Sequence, residues 1–239
     1  MRVAVVSDIH GNLAALEAVA AAIRRHGVDL VCNLGDSLSG PMLPKETAQF
    51  LMSTDWTHIA GNHERQLGAM TPNSSPSDVY AHAQLTAKEL AWFATLPATA
   101  RIGDDILLCH GTPTSDITPL LDIADRPATR AEIRERLGPL TPAVVLCGHT
   151  HVPRCVRSEA TLVVNPGSVG LQAYADDLPY PHVIENGSPD ARFAILEKGP
   201  AGWSVSLLSV PYDHWAMASL ARLRQFDQWE RALLTGYVG

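Results

Sequence analysis

Apolar and polar positions follow two different periods along the first third of the chain. Continuous apolar, β-branched runs predict three strands, at 2–7, 29–34 and 56–60. The segments between these strands predict two helices, one that Asn12 begins and Gly27 ends, and one at 44–52. Leu13, Leu16 and Ile23 give the first helix a single apolar stripe. Strands that are apolar throughout and alternate with helices are typical of a sheet covered on both faces.

The same pattern continues and then changes near residue 152. The polar stretch "TPNSSPSD" at 71–78 predicts a loop, and Thr86 with Glu89 forms a capping box for a helix that ends before Pro97. Further strands are predicted at 106–109 and 143–147, with a helix at 128–137 between them. Beyond residue 152, short strands of antiparallel character are predicted at 153–157, 161–165, 191–197 and 203–209.

These elements predict one domain. The chain has 239 residues, contains no fixed-period repeat, low-complexity tract or strong linker, and is long enough to bury a substantial core. We expect a single α/β domain over 1–239, with an accessory C-terminal helix at about 213–235. No apolar run has the length of a signal segment or a membrane span, so we expect a cytoplasmic protein without a membrane partner.

The formal charge of −7 narrows the possible partners. A duplex nucleic acid needs a basic run to neutralise its phosphates, and the chain has none. A small phosphorylated substrate remains open, because two bound divalent cations would reverse the local sign of the charge. Four cysteines without CxxC spacing favour reduced, mostly buried thiols over a zinc ribbon or disulfides.

Five of the predicted strands end in aspartate, asparagine or histidine, several of them beside glycine. These residues are Asp8, His10, Asp36, Asn62, His63, His110, His149 and His151. Ligands of open α/β sheets bind at the carboxyl ends of the strands. Carboxylate, imidazole and amide-oxygen ligands suit borderline divalent ions such as Zn, Fe, Mn or Co. The spacing of two in Asp8/His10 and in His149/His151 would point each pair to one side of an extended backbone.

Six segments in this order resemble the calcineurin-like metallophosphoesterase superfamily, and more closely its bacterial phosphodiesterase-like branch. They are "DIHGN", "LGD", "GNHE", "CHGTP", "GHTH" and "NPGSVG". The resemblance runs from residue 2 to about 170, and "VPYD" at 210–213 also resembles that branch. It implies a four-layer αββα sandwich, in which two mixed sheets are flanked by helices, with a dinuclear metal site at one edge.

The resemblance also implies roles for individual residues. One divalent ion would be held by Asp8, His10, Asp36 and His151, and the other by Asn62, His110 and His149, with Asp36 bridging both. The ions would be drawn from Mn, Fe, Zn, Co and Ni. A metal-bound hydroxide would attack the phosphorus, and His63 would give a proton to the leaving oxygen. Asn12, at the start of the first helix, is a weaker candidate for a contact with a phosphate oxygen.

The uncharged stretch after Asp36 bears on the substrate. Phosphomonoesterases of this superfamily often read GDxxDRG, with an aspartate that supports the catalytic histidine and an arginine that grips phosphate. Here those two positions are Ser39 and Gly40. A monoester carries more negative charge than a diester, so the absence of an arginine favours diesters, including cyclic nucleotides or dinucleoside polyphosphates. The group that orients His63 is left unassigned.

Several alternatives remain open at this stage. A phosphomonoesterase, a nuclease, or a non-catalytic interaction scaffold of the same fold would share most of these motifs. A scaffold is expected to lose ligands or the catalytic histidine, whereas every motif position is intact here. Outside the motifs, surface or packing roles are expected for five further histidines: His26, His58, His82, His182 and His214. The sequence does not indicate an oligomeric state.

Overall fold

The structure is a computed structural model and describes residues 1–123, 126–177 and 180–239. Its strands are β1 (Arg2–Val6), β2 (Leu30–Asn33), β3 (Thr57–His58), β4 (Thr99–Ile102), β5 (Ile106–Cys109), β6 (Asp122–Ile123), β7 (Arg126–Pro127), β8 (Val144–Leu146), β9 (Arg154–Ser158), β10 (Thr161–Asn165), β11 (Ala173–Asp176), β12 (His182–Glu185), β13 (Ala191–Gly199) and β14 (Gly202–Val210). Its helices are α1 (Leu13–His26), α2 (Pro44–Met52), α3 (Asn62–Leu67), α4 (Pro76–Gln84), α5 (Ala87–Phe93), α6 (Arg130–Leu137), α7 (His214–Leu223) and α8 (Asp227–Thr235).

Two five-stranded mixed sheets form the centre of the molecule. The first has the order β14-β13-β1-β2-β3. Strands β1, β2 and β3 are parallel to one another, β13 is antiparallel to β1, and β14 is antiparallel to β13. The second has the order β4-β5-β8-β10-β9, in which β5, β8 and β10 are parallel between two antiparallel edge strands. The predicted α/β sandwich of two mixed sheets is confirmed.

Alternate side chains of β1 enter different layers of the core. Val3 and Val5 are completely buried in one cluster with residues of β5, β8 and β10, so this cluster lies between the two sheets. Ala4 and Val6 belong to another cluster, which contains Leu16 of α1. Because both faces of β1 are covered, its sequence is apolar throughout rather than alternating.

The second sheet is covered in the same way on its outer face. Leu107, Val145 and Val163, from its three parallel strands, cluster with Ile133 and Leu137 of α6. The short, charged helix α6 contributes two buried apolar side chains to this layer, and Leu120 and Leu121 from the segment before it complete the cluster. Helix, sheet, sheet and helix therefore stack as the four expected layers.

Helix ends follow the sequence closely in two places. The Asn12 side chain accepts a hydrogen bond from the Ala15 amide at the start of α1, and Gly27 ends that helix with φ 57°. Thr86 and Glu89 form the expected capping box of α5. Both signals are local, because each depends on groups three residues apart.

Two predicted boundaries are wrong. The single C-terminal helix expected at 213–235 is a pair, α7 and α8, because Gln225 adopts a left-handed backbone conformation (φ 66°) that an α-helix cannot continue through. The loop expected at 71–78 ends early, since the Ser75 side chain caps α4 and Pro76 occupies its first turn. Both corrections matter for the site.

Three cysteines are buried as expected, namely Cys32, Cys109 and Cys147, and Cys155 is exposed. Burial raises the pKa of Cys32 and of Cys109 to about 12, so these thiols stay protonated. Among the described residues, no helix is both long enough and apolar enough to cross a membrane.

Candidate metal centre

The predicted ligands converge where parallel strands of both sheets end. Six of them form two groups: Asp8, His10 and His151, and Asp36, His110 and His149. Within each group, the nitrogen or oxygen atoms available for a metal lie within 4.8 Å of one another. All six are buried except His149, which is half-buried. Residues two apart in the sequence do not always belong to the same group. Asp8 and His10 do, whereas His149 and His151 belong to different groups.

Five of these ligands have a left-handed backbone, which is uncommon outside glycine. They are Asp8 (φ 55°), His10 (φ 52°), Asp36 (φ 53°), His149 (φ 71°) and His151 (φ 59°). The extended backbone assumed from the spacing of two is therefore wrong. Each such residue costs on the order of 1 kcal/mol or more and persists only where the surroundings impose it. Backbone strain concentrated on this set indicates a functional constraint.

Three of the histidines are oriented by backbone carbonyl groups. Each donates a hydrogen bond from Nδ1, in the pairs His10 to Ser39 (2.8 Å), His110 to Leu34 (2.8 Å) and His151 to Leu171 (2.7 Å). A carbonyl oxygen can only accept, so each Nδ1 carries a proton, and in the neutral form of the ring the lone pair is on Nε2. The Nε2 atoms of His10 and His151 face each other at 3.1 Å. Two lone pairs at this distance require a cation or a proton beside them.

His149 uses the opposite tautomer. Its Nε2 donates to the Ile117 carbonyl at 3.1 Å, which leaves Nδ1 as the atom available for a metal. In the second group, the atom available to a metal is therefore Nε2 in His110 and Nδ1 in His149.

Buried polar atoms without partners support a cation site. Within the described residues, Asp8 Oδ1, Asn62 Oδ1 and His110 Nε2 are buried and form no hydrogen bond of good geometry, although Asp8 Oδ1 lies 3.3 Å from His151 Nε2. His110 Nε2 lies 3.0 Å from Asp36 Oδ2. Leaving buried polar groups unpaired costs free energy, and a coordinated ion removes that cost. The mixed oxygen and nitrogen donors fit a borderline divalent ion.

The protonation states of these ligands follow from burial and charge. Burial lowers the pKa of His10 to about 3 and that of His149 to about 4, so both imidazoles are neutral at neutral pH, as metal ligation requires. Burial alone would raise the pKa of Asp8, but the neighbouring His151 and His110 lower it to about 2. Asp8 is therefore a carboxylate.

A cleft of about 440 Å³ opens above the ligands. Its floor consists of His10, Asp36, Asn62, His63, His149 and His151. Its sides are Ser75 and Ser77, the β11–β12 hairpin with His182, and Gln228, Trp229 and Arg231 of α8. We call the last three residues the α8 wall. The volume is that of a small-molecule site.

Comparison with known proteins identifies the family. Residues 1–181 match the model of the calcineurin-like phosphoesterase superfamily domain, which covers more than half of the chain. The chain belongs to this superfamily. The predicted family is confirmed, and the matched residues include every predicted ligand and His63. Members of this family are metal-dependent phosphoesterases, and this calcineurin-like phosphoesterase carries two candidate metal-binding groups.

Similar structures and sequences agree with that fold. The chain is similar to a metallophosphoesterase from Sphaerobacter thermophilus, with 24% identity, a TM-score of 0.79 and 99% of each chain covered. It is similar to a hypothetical protein from Pyrococcus horikoshii OT3, with 19% identity, a TM-score of 0.76 and 98% of each chain covered. An uncharacterized protein of Methanocaldococcus jannaschii is 22% identical over an alignment of 226 residues, and the match covers 88% of this chain and 88% of that protein.

One residue of the phosphoesterase site that sequence reasoning did not single out is Glu64. Its buried carboxylate accepts hydrogen bonds from the amides of Asp36 (2.8 Å), Ser37 (2.8 Å) and Gly61 (2.7 Å). It thereby joins the loop after β2 to the start of α3 and fixes the backbone on both sides of Asp36. The signal was present, since Glu64 stands three residues after the glycine that begins a helix.

His63 has a carboxylate partner from a distant part of the sequence. Its Nδ1 lies 2.9 Å from Asp78 Oδ1, and its amide donates to Asp36 Oδ1 at 2.9 Å. Burial would lower the pKa of His63, but Asp36 and the hydrogen bond to Asp78 raise it to about 9. Asp78 was missed because it lies in the first turn of α4, within the segment predicted as a loop. Its only sequence signal was the Ser75-Pro76 helix start.

The "NPGSVG" segment supports two of the ligand loops from behind. The Ser168 hydroxyl donates to the Asp8 carbonyl at 2.7 Å. The Asn165 amide donates to the Gly148 carbonyl at 2.8 Å and to the Thr150 hydroxyl at 3.1 Å. These buried contacts hold the left-handed turns after β1 and β8 in place.

Asn12 does not face the cleft. Its side chain is completely buried, accepts from the Ala15 amide, and donates to the Gly170 carbonyl and the Tyr212 hydroxyl, each at 2.9 Å. All of these partners are within the protein. The structure gives Asn12 a capping and bridging role in place of the expected contact with phosphate.

Gly40 occupies a position where no side chain fits. A Cβ atom there would stand 2.2 Å from the His10 carbonyl oxygen and 3.2 Å from the Trp229 ring. An arginine is therefore excluded at this position without movement of a metal-ligand loop. The neighbouring Ser39 orients His10 through its carbonyl group and lies beside Asp78. The aspartate absent from position 39 is thus supplied from α4.

Proposed function

We propose that this phosphoesterase has a dinuclear metal centre and hydrolyses phosphodiester or phosphoanhydride bonds of a small, nucleotide-like substrate. The observation that carries the proposal is the pair of buried ligand groups beside His63, both open to one cleft. Hydrolysis of a phosphoester requires an activated water, stabilisation of charge on the phosphoryl oxygens, and a proton for the leaving oxygen. Each of these requirements has a candidate here.

Two divalent ions, from Mn, Fe, Zn, Co and Ni, would lower the pKa of water and polarise a phosphoryl oxygen. The proposed ligands of the first ion are Asp8, His10 and His151 and those of the second are Asn62, His110 and His149; Asp36, which groups with His110 and His149, would bridge both ions. The unpaired oxygen of Asn62 is the argument for including it, since it is the one proposed ligand outside both three-residue groups.

His63 is the proposed general acid. Asp78 holds its Nδ1, so the proton for the leaving oxygen comes from Nε2. The hydrogen bond to the Asp78 carboxylate raises the pKa of His63 and so favours the protonated form, which is the form that donates. His63 also lines the cleft, where a leaving group can reach it.

Diesters are favoured over monoesters by the surroundings of Gly40. The arginine that would help to neutralise a monoester cannot be placed there. A phosphomonoesterase is the alternative, and a non-catalytic scaffold is disfavoured because the ligand set is complete. One similar structure, with 18% identity and a TM-score of 0.57, is that of a proposed diadenosine tetraphosphatase, whose substrate is a phosphoanhydride of nucleosides.

Metal analysis and a matched substrate pair test this proposal. The purified protein is loaded separately with Mn, Zn, Co and Ni, and hydrolysis of bis(p-nitrophenyl) phosphate is compared with that of p-nitrophenyl phosphate. We expect about two ions per chain and a higher kcat/KM for the diester. Preference for the monoester under every metal would overturn the diester assignment, and absence of hydrolysis with bound metal would favour the scaffold.

A further inference from the structure

The α8 wall stands over the metal ligands although it comes from the far end of the sequence. Trp229 is half-buried, and its ring centre is 5.8 Å from that of His10. The same indole lies against Gly40, where a side chain would collide with it. The indole therefore borders the floor of the cleft at the position from which an arginine is excluded.

This position of α8 is fixed by packing and hydrogen bonds. Met42, directly after the Gly40 loop, shares a buried cluster with Met217 of α7 and Leu233 of α8. The Arg224 guanidinium, between the two helices, donates to the carbonyl groups of Pro41 and Met42. The helix pair is therefore attached to the segment that also orients His10. These contacts fix the α8 wall at the side of the cleft.

Polar groups accompany the indole on the same wall. Gln228 and Arg231 both line the cleft and are exposed. Arg231 donates to the Val238 carbonyl at 2.8 Å and forms no ion pair with any residue that the structure describes. An aromatic face flanked by an amide and a cation suits a planar, heteroatom-rich ring attached to phosphate.

We propose that Trp229 recognises the substrate by stacking on a nucleobase, so that the preferred substrates are phosphodiesters whose non-leaving group is a nucleoside. This inference rests on the proposed phosphodiesterase function and adds to it the substrate class and the residue that selects it. The cleft volume of about 440 Å³ suits a nucleotide and is too small for a long strand of nucleic acid.

Two esters with one leaving group isolate this contact. Thymidine 5′-(p-nitrophenyl phosphate) and methyl p-nitrophenyl phosphate are both diesters and release the same p-nitrophenolate, so they differ only in the non-leaving group. We define the nucleoside preference as the ratio of their kcat/KM values. In Trp229→Ala, we expect this preference to fall by about tenfold, the usual effect of removing one base–aromatic stack. Trp229→Phe, which keeps an aromatic ring, should retain most of it.

Trp215→Ala is the matched control, because Trp215 is 66% exposed on α7 and does not line the cleft. It should leave both kcat/KM values unchanged, and metal content and thermal unfolding should be measured for all variants. An unchanged preference in Trp229→Ala, or an equal loss in the alanine and phenylalanine variants, would overturn the inference. Hydrolysis of neither ester by the metal-loaded wild type would instead contradict the proposed phosphodiesterase function.

Discussion

The floor and the α8 wall of the cleft are built in different ways. The floor lies at the ends of central strands, its side chains are mostly buried, and their orientation is imposed by backbone carbonyl and amide groups. The wall lies on a peripheral helix, and its side chains are half-buried or exposed. The family match extends to residue 181 and therefore covers the floor but not the wall.

The floor is the proposed site of the reaction, and the α8 wall is the proposed site of substrate selection. The floor contains the candidate groups for metal-dependent phosphoester hydrolysis, and four of its residues (His10, Asp36, His149 and His151) hold a costly left-handed backbone conformation. The wall carries no strained residue and contributes none of the six residues of the two candidate ligand groups. We therefore expect floor substitutions to affect all substrates, and wall substitutions to affect the choice among them.

The largest effect is expected from Asp36→Ala. Asp36 is the proposed bridging ligand of the two ions, so its loss should reduce metal content and bring hydrolysis of every ester to background. Metal analysis by mass spectrometry and kcat/KM for bis(p-nitrophenyl) phosphate measure this. Asp55→Ala, at an exposed position, is the control. Full activity in Asp36→Ala would contradict the proposed role of the floor residues in hydrolysis.

His63→Ala should retain metal and lose activity in proportion to how much the leaving group needs a proton. We expect a loss of about 10² to 10⁴-fold for the phenyl ester of thymidine 5′-phosphate and a smaller loss for its p-nitrophenyl ester. Steady-state kinetics on the two esters, with His26→Ala as an exposed control, tests this. Equal losses on both esters would contradict the general-acid role.

Glu64→Gln tests whether the floor depends on its buried support. The amide group would place N–H donors against at least one of the three backbone amides that Glu64 now binds. We expect metal affinity to fall by about 10 to 100-fold and the free energy of unfolding by about 2 kcal/mol. Metal titration and denaturant unfolding measure both quantities. Glu46→Gln, exposed on α2, should change neither.

The smallest of these effects is expected from Asp78→Asn, which keeps the shape of the side chain but removes its negative charge beside His63. Turnover should fall by about tenfold, with the same dependence on leaving group as in His63→Ala. Combining Asp78→Asn with His63→Ala should add little to the loss caused by His63→Ala alone, because Asp78 acts through the imidazole. Asp104→Asn is the exposed control. Additive losses would assign Asp78 a separate role.

Much of the fold and floor was readable from the sequence for local reasons. Strand and helix positions follow from apolar runs and from caps such as Asn12 and Thr86, which act over three residues. The ligand positions follow from polar residues that come directly after apolar strands. These signals fail where a left-handed residue interrupts a helical pattern, as at Gln225, or where a loop-like composition hides a helix start, as at Ser75.

The sequence by itself determined most strands and helices and the set of residues at the strand ends, because these depend on short segments with their own pattern. Through six such segments it also showed the resemblance to the family, and that resemblance implied the sandwich fold. Only the tertiary structure decided the division of histidines between the two groups, the pairing of His63 with Asp78, and the placement of Trp229 beside His10. Those contacts join segments that are distant along the chain. No local pattern specifies them, since they follow from how helices dock on the sheets.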